Sequence, residues 1–254
     1  MPLPLFDLTG RVALVTGGNK GLGKAMARGF AGAGADVLIA SRHGDELRDA
    51  LDEILTGTGR RGAYIVADMS NRDDVQKMAQ TAIETMGRVD ILVNNAGMNA
   101  PQAIDEVTDE TWDRVVEVNL TSVMALTRAI VPQMKSRRWG RVVHISSIMG
   151  QVSKERRNVY SATKAALIGM ARASALDLGP YNVTVNCIAP GPFLTDMPMS
   201  VLSDAEKKIF ADRTALGRWG QPGELVGPAL MLCSDAGSYV TGQVLFVDGG
   251  YLAR

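Results

Sequence analysis

The 254-residue sequence is poor in the side chains that build metal sites and disulfides, with two cysteines and two histidines. Cys187 and Cys233 form no Cys-x-x-Cys pair, and His43 and His144 are far apart in the chain. This scarcity argues against a metal centre and against a disulfide-stabilised fold. Because unpaired cysteines are typical of reducing compartments, we expect a cytoplasmic protein that holds no metal.

An excess of charge of one sign is also missing, since 27 basic residues balance 27 acidic ones. A neutral chain has no bulk attraction for nucleic acid or for an anionic membrane surface. The N-terminus lacks a basic segment followed by a long apolar run, and all apolar runs are under 20 residues. We therefore expect no signal peptide, no membrane span and no nucleic-acid partner.

Apolar runs alternate with helical patterns along the whole chain. The runs are continuous in Val, Ile and Leu, which is typical of strands buried on both faces of a parallel sheet. Strict alternation predicts an α/β fold of the Rossmann type, a doubly wound parallel sheet of seven strands with helices on both faces. No linker divides the chain, so we predict one domain over residues 1–254. The predicted strands cover 11–16, 36–41, 62–68, 90–97, 140–147, 183–191 and 243–250. The predicted helices cover 22–33, 45–56, 71–87, 109–137, 158–179, 203–214 and 222–234.

A glycine-rich turn follows the first predicted strand, with the sequence Thr16-Gly-Gly-Asn-Lys-Gly-Leu-Gly23. Glycines let the backbone bend tightly and let a phosphate approach, and the start of the next helix offers free N–H groups. The spacing differs from the Gly-x-Gly-x-x-Gly dinucleotide motif, so that motif does not apply. The turn predicts a phosphate-binding site, with a flexible surface turn as the alternative interpretation.

A tyrosine and a lysine stand four residues apart, at Tyr160 and Lys164. Residues at this spacing share one face of a helix, and the Ala- and Leu-rich stretch that follows favours a helix. Free tyrosine has a pKa of about 10, and a neighbouring cation lowers it by stabilising the phenolate. The motif alone is common, so its meaning depends on the rest of the chain. His144 lies within a predicted strand, where a packed, hydrogen-bonded role is favoured over a catalytic one.

Together these motifs resemble those of the short-chain dehydrogenase/reductase family. Residues 16–23 match its glycine-rich motif, residues 94–97 match Asn-Asn-Ala-Gly, and residues 190–191 match the Pro-Gly after the sixth strand. A catalytic set of four is matched by Asn119, Ser147, Tyr160 and Lys164. Ser147 is chosen over Ser146 because it precedes Tyr160 by 13 residues, as in the family. The resemblance extends from about residue 8 to residue 251.

The resemblance implies an oxidoreductase that interconverts a carbonyl and a secondary alcohol by hydride transfer. Tyr160 would be the general acid/base, and Lys164 would bind the nicotinamide ribose and lower the tyrosine pKa. Ser147 would bind the substrate oxygen, and Asn119 would hold a water that relays protons from Lys164. The implied cofactor contacts are Gly17, Asn19, Lys20, Gly21, Leu22, Gly23, Ser41, Arg42, Asp68, Met69, Asn95, Ala96, Gly97, Tyr160, Lys164, Pro190, Gly191, Phe193 and Thr195.

The end of the second strand indicates which dinucleotide is bound. An acidic residue there binds the ribose 2′-hydroxyl of NAD(H), whereas Arg or Lys accommodates the 2′-phosphate of NADP(H). Ser41 stands where NAD-preferring relatives carry Asp, and Arg42 and Lys20 supply two cations, so we predict NADP(H) over NAD(H). Alternatively, Arg42 is a solvated residue that Asp45 and Glu46 neutralise. Two interpretations of Asp68 are equally favoured. Its side chain contacts the adenine, or it only begins the turn that follows the third strand.

Substrate contacts are expected between Ser147 and Tyr160, in the loop 99–103, and in a lid at 195–214. Lys154, Arg156 and Arg157 lie in the first of these segments. Such cations favour an anionic substrate, for example a sugar acid, with a solvated or subunit-contact loop as the alternative.

The C-terminal run from residue 215 to residue 250 looks like the gluconate 5-dehydrogenase branch of the family and like 3-oxoacyl-(acyl carrier protein) reductases. Leu176 stands where those reductases usually carry a basic residue for the acidic carrier, which weakens that alternative. A non-catalytic NADPH-sensing scaffold is a third possibility. The resemblance further implies a homodimer or homotetramer that pairs the helices predicted at 109–137 and 158–179.

Overall fold

Seven parallel strands form the single sheet of this protein, for which a computed structural model describes residues 4–195 and 203–253. The strands are β1 (Val12–Thr16), β2 (Asp36–Ser41), β3 (Gly62–Val66), β4 (Ile91–Asn94), β5 (Gly140–Ile145), β6 (Val183–Pro190) and β7 (Val244–Val247). The helices are α1 (Gly21–Gly32), α2 (Gly44–Leu55), α3 (Arg72–Met86), α4 (Asp109–Val116), α5 (Ser122–Arg137), α6 (Asn158–Leu178), α7 (Asp204–Arg213) and α8 (Val226–Cys233).

Apolar side chains cover both faces of the sheet. Leu14 and Leu92 belong to the cluster beneath α3, α5 and α6. Val15 and Val93, their neighbours in sequence, belong to the cluster beneath α1, α2 and α8. Burying each such aliphatic side chain contributes about 1.5–3 kcal/mol, and double-sided burial explains why the apolar runs are continuous.

The strand order β3-β2-β1-β4-β5-β6-β7 places a crossover next to β1. From β1 the chain proceeds to β2 and β3 on one side, and then crosses to β4 on the other side. The loops that follow β1 and β4 therefore diverge and leave a crevice at the carboxyl ends of these strands. The predicted fold class, a doubly wound parallel sheet of seven strands, is confirmed.

The helix predicted at 109–137 has an interruption that the sequence pattern did not reveal. Between α4 and α5 the chain forms one π-helical turn, Glu117–Thr121, which contains the fully buried Asn119. A π-turn fits one additional residue into a helix and often occurs at functional sites. The wider turn here holds a polar side chain inside the protein between α4 and α5.

Several strands are shorter than their apolar patterns predicted. The fourth ends at Asn94 rather than at Gly97, because the backbone N–H groups of Asn95 and Ala96 both donate to Thr16 Oγ1 at 3.0 Å. These residues leave the sheet and turn toward the end of β1. The helix predicted at 222–234 likewise begins as a 3-10 turn, Pro222–Leu225, before α8.

Among the described residues, one helix satisfies the length and composition expected of a membrane span. It is the continuous segment Asp109–Arg137 of 29 residues, with a mean hydropathy of 1.3 in its most apolar window. Half of that window is buried inside the protein, and the buried side packs in the cluster that contains α3 and α6. A core helix passes the same test, so the segment is weak evidence for a span.

Candidate active site

A cleft of about 530 Å³ opens at the carboxyl ends of the strands. It collects residues from across the chain that the sequence motifs singled out. These are Gly17, Asn19, Lys20, Gly21, Leu22, Ser41, Arg42, Asp68, Met69, Asn95, Ala96, Gly97, Ser147, Tyr160, Lys164, Pro190, Gly191, Phe193 and Thr195. Gly23 and Asn119, which were also singled out, are not among the lining residues of this cleft.

The glycine-rich turn forms one end of the cleft. Gly17 and Gly21 have φ angles of 64° and 55°, in the left-handed region that glycine adopts without strain. Helix α1 begins directly after this turn, and its first turn carries no acidic residue. The free N–H groups and partial positive charge at this helix start suit a phosphate group.

Gly23 and Asn95 keep the turn closed. A Cβ atom on Gly23 would lie 2.2 Å from the Gly17 carbonyl oxygen, so only glycine fits there. Asn95 Nδ2 donates to the carbonyl oxygens of Thr16 at 2.9 Å and Gly17 at 3.2 Å. Gly23 therefore contributes through close backbone packing, and Asn95 braces the turn in addition to lining the cleft.

The corner after β2 carries an arginine without a partner. Within the described ranges, the exposed Arg42 side chain forms no hydrogen bond and no ion pair. Glu46 instead accepts a hydrogen bond from Asn19 at 2.5 Å and lies 3.9 Å from Lys20. Asp45 pairs with an arginine of its own helix at 3.1 Å. Neither acid forms an ion pair with Arg42, although Glu46 offsets part of the charge of Lys20.

Asp68 takes part both in the cleft and in the turn that follows β3. Its carboxylate lines the cleft and accepts hydrogen bonds from the Ser70 N–H and hydroxyl, each at 2.8 Å. Burial raises the pKa of this carboxyl, but the bonds from Ser70 and the charges of Arg42 and Arg114 outweigh it. The pKa of Asp68 is therefore lowered, and the side chain is an anion at neutral pH.

Ser147 and Tyr160 meet in the cleft between the end of β5 and the start of α6. The half-buried Tyr160 hydroxyl is hydrogen-bonded to Ser147, whose Oγ also accepts from the Met149 N–H at 3.1 Å. Burial raises the pKa of Tyr160, while the Ser147 bond and the charge of Arg157 act in the opposite direction. The net pKa is raised, and its lowering by Lys164 stays a prediction.

Lys164 lies one helical turn beyond Tyr160 and is buried. Its Nζ donates to the Ile145 carbonyl oxygen at 2.8 Å and lies 5.6 Å from the centre of the Tyr160 ring. Burial lowers the pKa of the lysine to about 8, because the charged form is poorly solvated there. The ammonium group therefore faces the cleft next to the tyrosine with a pKa near the physiological range.

Asn119 connects two walls of the site rather than touching Lys164. Its Oδ1 accepts from the Met98 N–H at 2.8 Å, and its Nδ2 donates to the Met98 carbonyl at 2.9 Å. The same Nδ2 donates to Thr163 Oγ1 on α6 at 3.2 Å. A Cβ atom on Gly97 would lie 3.3 Å from Asn119 Oδ1 and 3.4 Å from Lys164 Nζ, so both polar groups approach Gly97 closely. The water relay through Asn119 stays a prediction.

The two adjacent serines have different partners. Ser146 Oγ donates to the Lys164 carbonyl oxygen at 2.7 Å and ties β5 to α6. Ser147 is the serine that is hydrogen-bonded to Tyr160. This geometry agrees with the choice of Ser147 from its spacing.

Aromatic residues that the sequence did not single out line the substrate side of the cleft. Phe210 on α7 and Trp219 make an edge-to-face pair with ring centres 5.6 Å apart. Trp219 Nε1 donates to the Lys207 carbonyl at 2.8 Å, which connects Trp219 to the first half of α7. No local spacing pattern could have indicated either residue, since each is an isolated aromatic far from the motifs. Of the lid predicted at 195–214, residues 196–202 lie outside the described residues.

His144 lies behind the site, and its burial predicts that the folded protein loses stability at acid pH. It is fully buried on β5, with Nδ1 3.1 Å from Asn94 Nδ2. Burial, and secondarily the charge of Lys164, lower its pKa from 6.5 to about 4. Between these values the unfolded chain binds a proton at this position that the folded protein does not. Stability should therefore fall as the pH drops through this window, by up to about 3 kcal/mol.

Urea unfolding at several pH values tests this expectation. In His144→Gln, the free energy of unfolding should fall less steeply between pH 6.5 and about 4 than it does in the wild type. This difference in slope is expected even if the substitution also changes the stability at neutral pH. His43→Gln is the matched control, because His43 is exposed and is the second of the two histidines. An unchanged slope in the His144 variant would contradict the assignment.

A parallel doubly wound sheet, a glycine-rich turn after β1 and a Ser–Tyr–Lys group in the adjoining cleft define the class of dinucleotide-dependent oxidoreductases. A family model described as Enoyl-(Acyl carrier protein) reductase matches residues 17–252. The chain is 37% identical over 245 residues to 3-oxoacyl-(acyl-carrier-protein) reductase FabG of Aquifex aeolicus, covering 96% of this chain and 98% of that protein.

Two further comparisons cover almost the whole chain. It is 37% identical over 256 residues to 2-dehydro-3-deoxy-D-gluconate 5-dehydrogenase of Dickeya dadantii, covering 100% of both. A crystal structure of 3-oxoacyl (acyl-carrier-protein) reductase from Agrobacterium tumefaciens C58 with NADP bound has a TM-score of 0.92 at 35% identity, over 97% of this chain and 96% of that one. This chain belongs to the short-chain dehydrogenase/reductase family and is an oxidoreductase that acts on CH–OH groups.

Proposed function

We propose that this protein uses NADP(H) to interconvert a carbonyl and a secondary alcohol of a small sugar acid, with Tyr160 as the general acid/base. The observation that carries the chemistry is that the fold brings Ser147, Tyr160 and the buried Lys164 together in one cleft, with Lys164 one helical turn beyond Tyr160. A tyrosine and a serine side by side can both bind one substrate oxygen. The whole chain, residues 1–254, is one functional unit in this proposal.

The proposed roles follow from the chemistry of the three side chains. When bound, the reduced dinucleotide supplies a hydride to the carbonyl carbon. The Tyr160 hydroxyl then donates its proton to the carbonyl oxygen, which becomes the alcohol, and Ser147 orients that oxygen by a hydrogen bond. Lys164, with its pKa lowered to about 8, stabilises the phenolate left behind and can pass on a proton.

The cleft suits a dinucleotide that carries an additional phosphate. The positive-φ glycines and the acid-free start of α1 suit the pyrophosphate. At the neighbouring corner, Arg42 has no partner in the described part of the chain and faces no carboxylate at position 41. A guanidinium can hold a phosphate by two parallel hydrogen bonds, which supports NADP(H) over NAD(H).

Replacing Arg42 with alanine should lower kcat/KM for NADPH by about 10- to 100-fold and leave that for NADH nearly unchanged. Steady-state kinetics with both coenzymes measure the two values. Arg48→Ala is the control, because it also removes one positive charge, but from α2 outside the cleft. It should leave kcat/KM unchanged for both coenzymes. Equal kcat/KM for NADH and NADPH in the wild-type enzyme would refute the preference.

Two features support a sugar acid over an acyl thioester, the second candidate. The relative from Dickeya dadantii, named as 2-dehydro-3-deoxy-D-gluconate 5-dehydrogenase, aligns over 100% of both chains. Leu176, with 81% of its surface exposed, stands where a carrier-binding cation would be needed, and the acidic Asp177 follows it. The thioester candidate is supported by the equal identity to the FabG of Aquifex aeolicus. A non-catalytic NADPH sensor would not need the intact Ser–Tyr–Lys group.

A coenzyme-linked screen tests the proposed function directly. The purified protein is mixed with NADPH or NADP⁺ and with sugar acids, acyl thioesters, simple ketones and quinones, and absorbance of the reduced coenzyme is followed. Turnover of sugar acids should be fastest. Fastest turnover of acyl thioesters would favour the second candidate, and NADPH binding without any turnover would favour the sensor.

We also infer a cytoplasmic homodimer or homotetramer. Large apolar side chains are exposed on the helices that the family resemblance places at the subunit interface. Trp112 on α4, Met124 on α5 and Leu176 on α6 are 42%, 38% and 81% exposed. Pairing these helices with those of a second copy would bury this surface. Light scattering of the purified protein would show a monomer if this inference is wrong.

A further inference from the structure

Three cations in the segment between Ser147 and Tyr160 have different surroundings in the folded protein. Lys154 Nζ lies 5.1 Å from the centre of the Phe210 ring, and Arg156 pairs with Glu106 at 3.0 Å on the surface. Arg157 alone among the three lines the cleft. The sequence could not separate these residues, because they differ only in which neighbours the fold brings to them.

Among residues 4–195 and 203–253, nothing accepts a hydrogen bond from the Arg157 guanidinium. Its Nη1 is buried without a partner there, and no carboxylate of these residues forms an ion pair with it. A buried charged donor without an acceptor is unfavourable, so such a group is stabilised when an anion enters its site. The planar guanidinium best fits a group with two oxygens, such as a carboxylate.

The position of Arg157 places that anion close to the reacting oxygen. Arg157 immediately precedes α6, and Tyr160 lies in the first turn of the same helix. Both side chains line the same cleft, and the charge of Arg157 lowers the pKa of Tyr160. Helix α6 begins with no side-chain cap and no acidic residue in its first turn, so its partial positive charge adds to that of Arg157.

The facing loop offers hydrogen-bond acceptors beside this cation. Gln102 N–H donates to the Arg156 carbonyl at 3.0 Å, and Asn158 Nδ2 donates to the Gln102 carbonyl at 3.0 Å, which joins the loop to α6. The side-chain oxygens of Asn99 and Gln102 are buried and have no hydrogen-bond partner in the part of the chain that the structure describes, and Asn99 lines the cleft. Amide oxygens in this position can accept hydrogen bonds from substrate hydroxyl groups.

We propose that Arg157 binds the carboxylate of the substrate and makes the enzyme selective for hydroxy acids over neutral alcohols and ketones. This inference rests on the proposed function, because it assigns the anionic end of the molecule whose oxygen Tyr160 protonates. The ligand class is a polyhydroxy acid, with its carboxylate on Arg157 and its hydroxyl groups toward Asn99.

The test compares charged and neutral substrates of the same carbon skeleton. Oxidation of five- and six-carbon aldonates and of the matching alditols is measured with NADP⁺ for the wild type, Arg157→Gln, Arg157→Lys and Arg156→Gln. In the wild type, kcat/KM should be higher for aldonates. Arg157→Gln should lower kcat/KM about 100-fold more for aldonates than for alditols, mainly through KM. Arg157→Lys should recover part of the loss, and Arg156→Gln should resemble the wild type.

Several results would overturn the proposal. One is an equal loss for aldonates and alditols in Arg157→Gln, which would indicate an effect on Tyr160 rather than on a carboxylate. Another is a wild type that prefers alditols, ketones or thioesters, in which case the oxidoreductase function stands and this inference fails. Turnover of no substrate, despite NADPH binding measured by fluorescence, would refute the proposed function itself. Thermal melting of each variant identifies a folding defect. If Arg157→Gln does not fold, the proposal is tested by comparing kcat/KM for aldonates and alditols between Arg157→Lys and the wild type.

Discussion

Tyr160→Phe is expected to lower kcat by about 1000-fold while NADPH still binds, because the substitution removes only the hydroxyl that donates the proton. The phenyl ring keeps its place in the half-buried site next to Lys164. Ser147 loses its hydrogen-bond partner but retains its bond with the Met149 N–H. The loss should therefore fall on the chemical step and not on the coenzyme affinity.

Single-turnover kinetics and a fluorescence titration with NADPH separate these two quantities. Tyr181→Phe is the matched control, since it removes the same atom from a tyrosine outside the cleft. That tyrosine packs beneath Lys135, whose Nζ lies 4.1 Å from the ring centre, and the ring is unchanged by the substitution. Unchanged turnover in Tyr160→Phe would show that another group supplies the proton.

Gly23→Ala is expected to weaken NADPH binding by about 100-fold, because it forces the glycine-rich turn apart. The added Cβ atom would lie 2.2 Å from the Gly17 carbonyl oxygen and 2.5 Å from Asn95 Nδ2. Neither is the free end of a flexible chain, since Asn95 is itself held by two carbonyl oxygens. The backbone of the turn must therefore move, and with it the N–H groups proposed to bind phosphate.

Calorimetric titration with NADPH measures this loss, and thermal melting reports the accompanying strain of about 1–3 kcal/mol. Gly32→Ala lies in the same helix, where no atom is within 4 Å of the added Cβ. It should leave NADPH affinity unchanged and alter stability by no more than about 1 kcal/mol. Wild-type affinity in Gly23→Ala would show that the turn does not bind the phosphates.

The predicted elements agree with the structure where the signal is local. Continuous apolar runs identified all seven strands, because helices bury both faces of the central strands β1, β4, β5 and β6, whereas the edge strands β3 and β7 are partly exposed. Element ends were less accurate, as at Asn94, where the pairing ends because the next two backbone N–H groups donate hydrogen bonds to Thr16 Oγ1 on another strand. The π-turn around Asn119 was missed, because the hydrogen bond that its side chain accepts from the Met98 N–H comes from a distant part of the chain and leaves no mark in the local sequence pattern.

The candidate site was predicted in its members and less well in its surroundings. The motifs pointed to Ser147, Tyr160 and Lys164, which the fold brings to one cleft. Phe210 and Trp219 were not foreseen, since isolated aromatic residues carry no spacing signal. The direction of the Tyr160 pKa shift also depends on burial, which a cation four residues away does not reveal.

The sequence by itself determined the order in which strands and helices follow one another along the chain. It also indicated that the site lies at the carboxyl edge of the sheet and which residue types are available there. These properties follow from hydrophobic periodicity and from motifs that are read within a few residues. Only the tertiary structure decided which polar groups are paired and which are free. Glu46 accepts a hydrogen bond from Asn19 and does not pair with Arg42. Glu106 forms an ion pair with Arg156 and not with Arg157, whose side chain lines the cleft. Pairing depends on distances between segments remote in the chain, so no local pattern contains it.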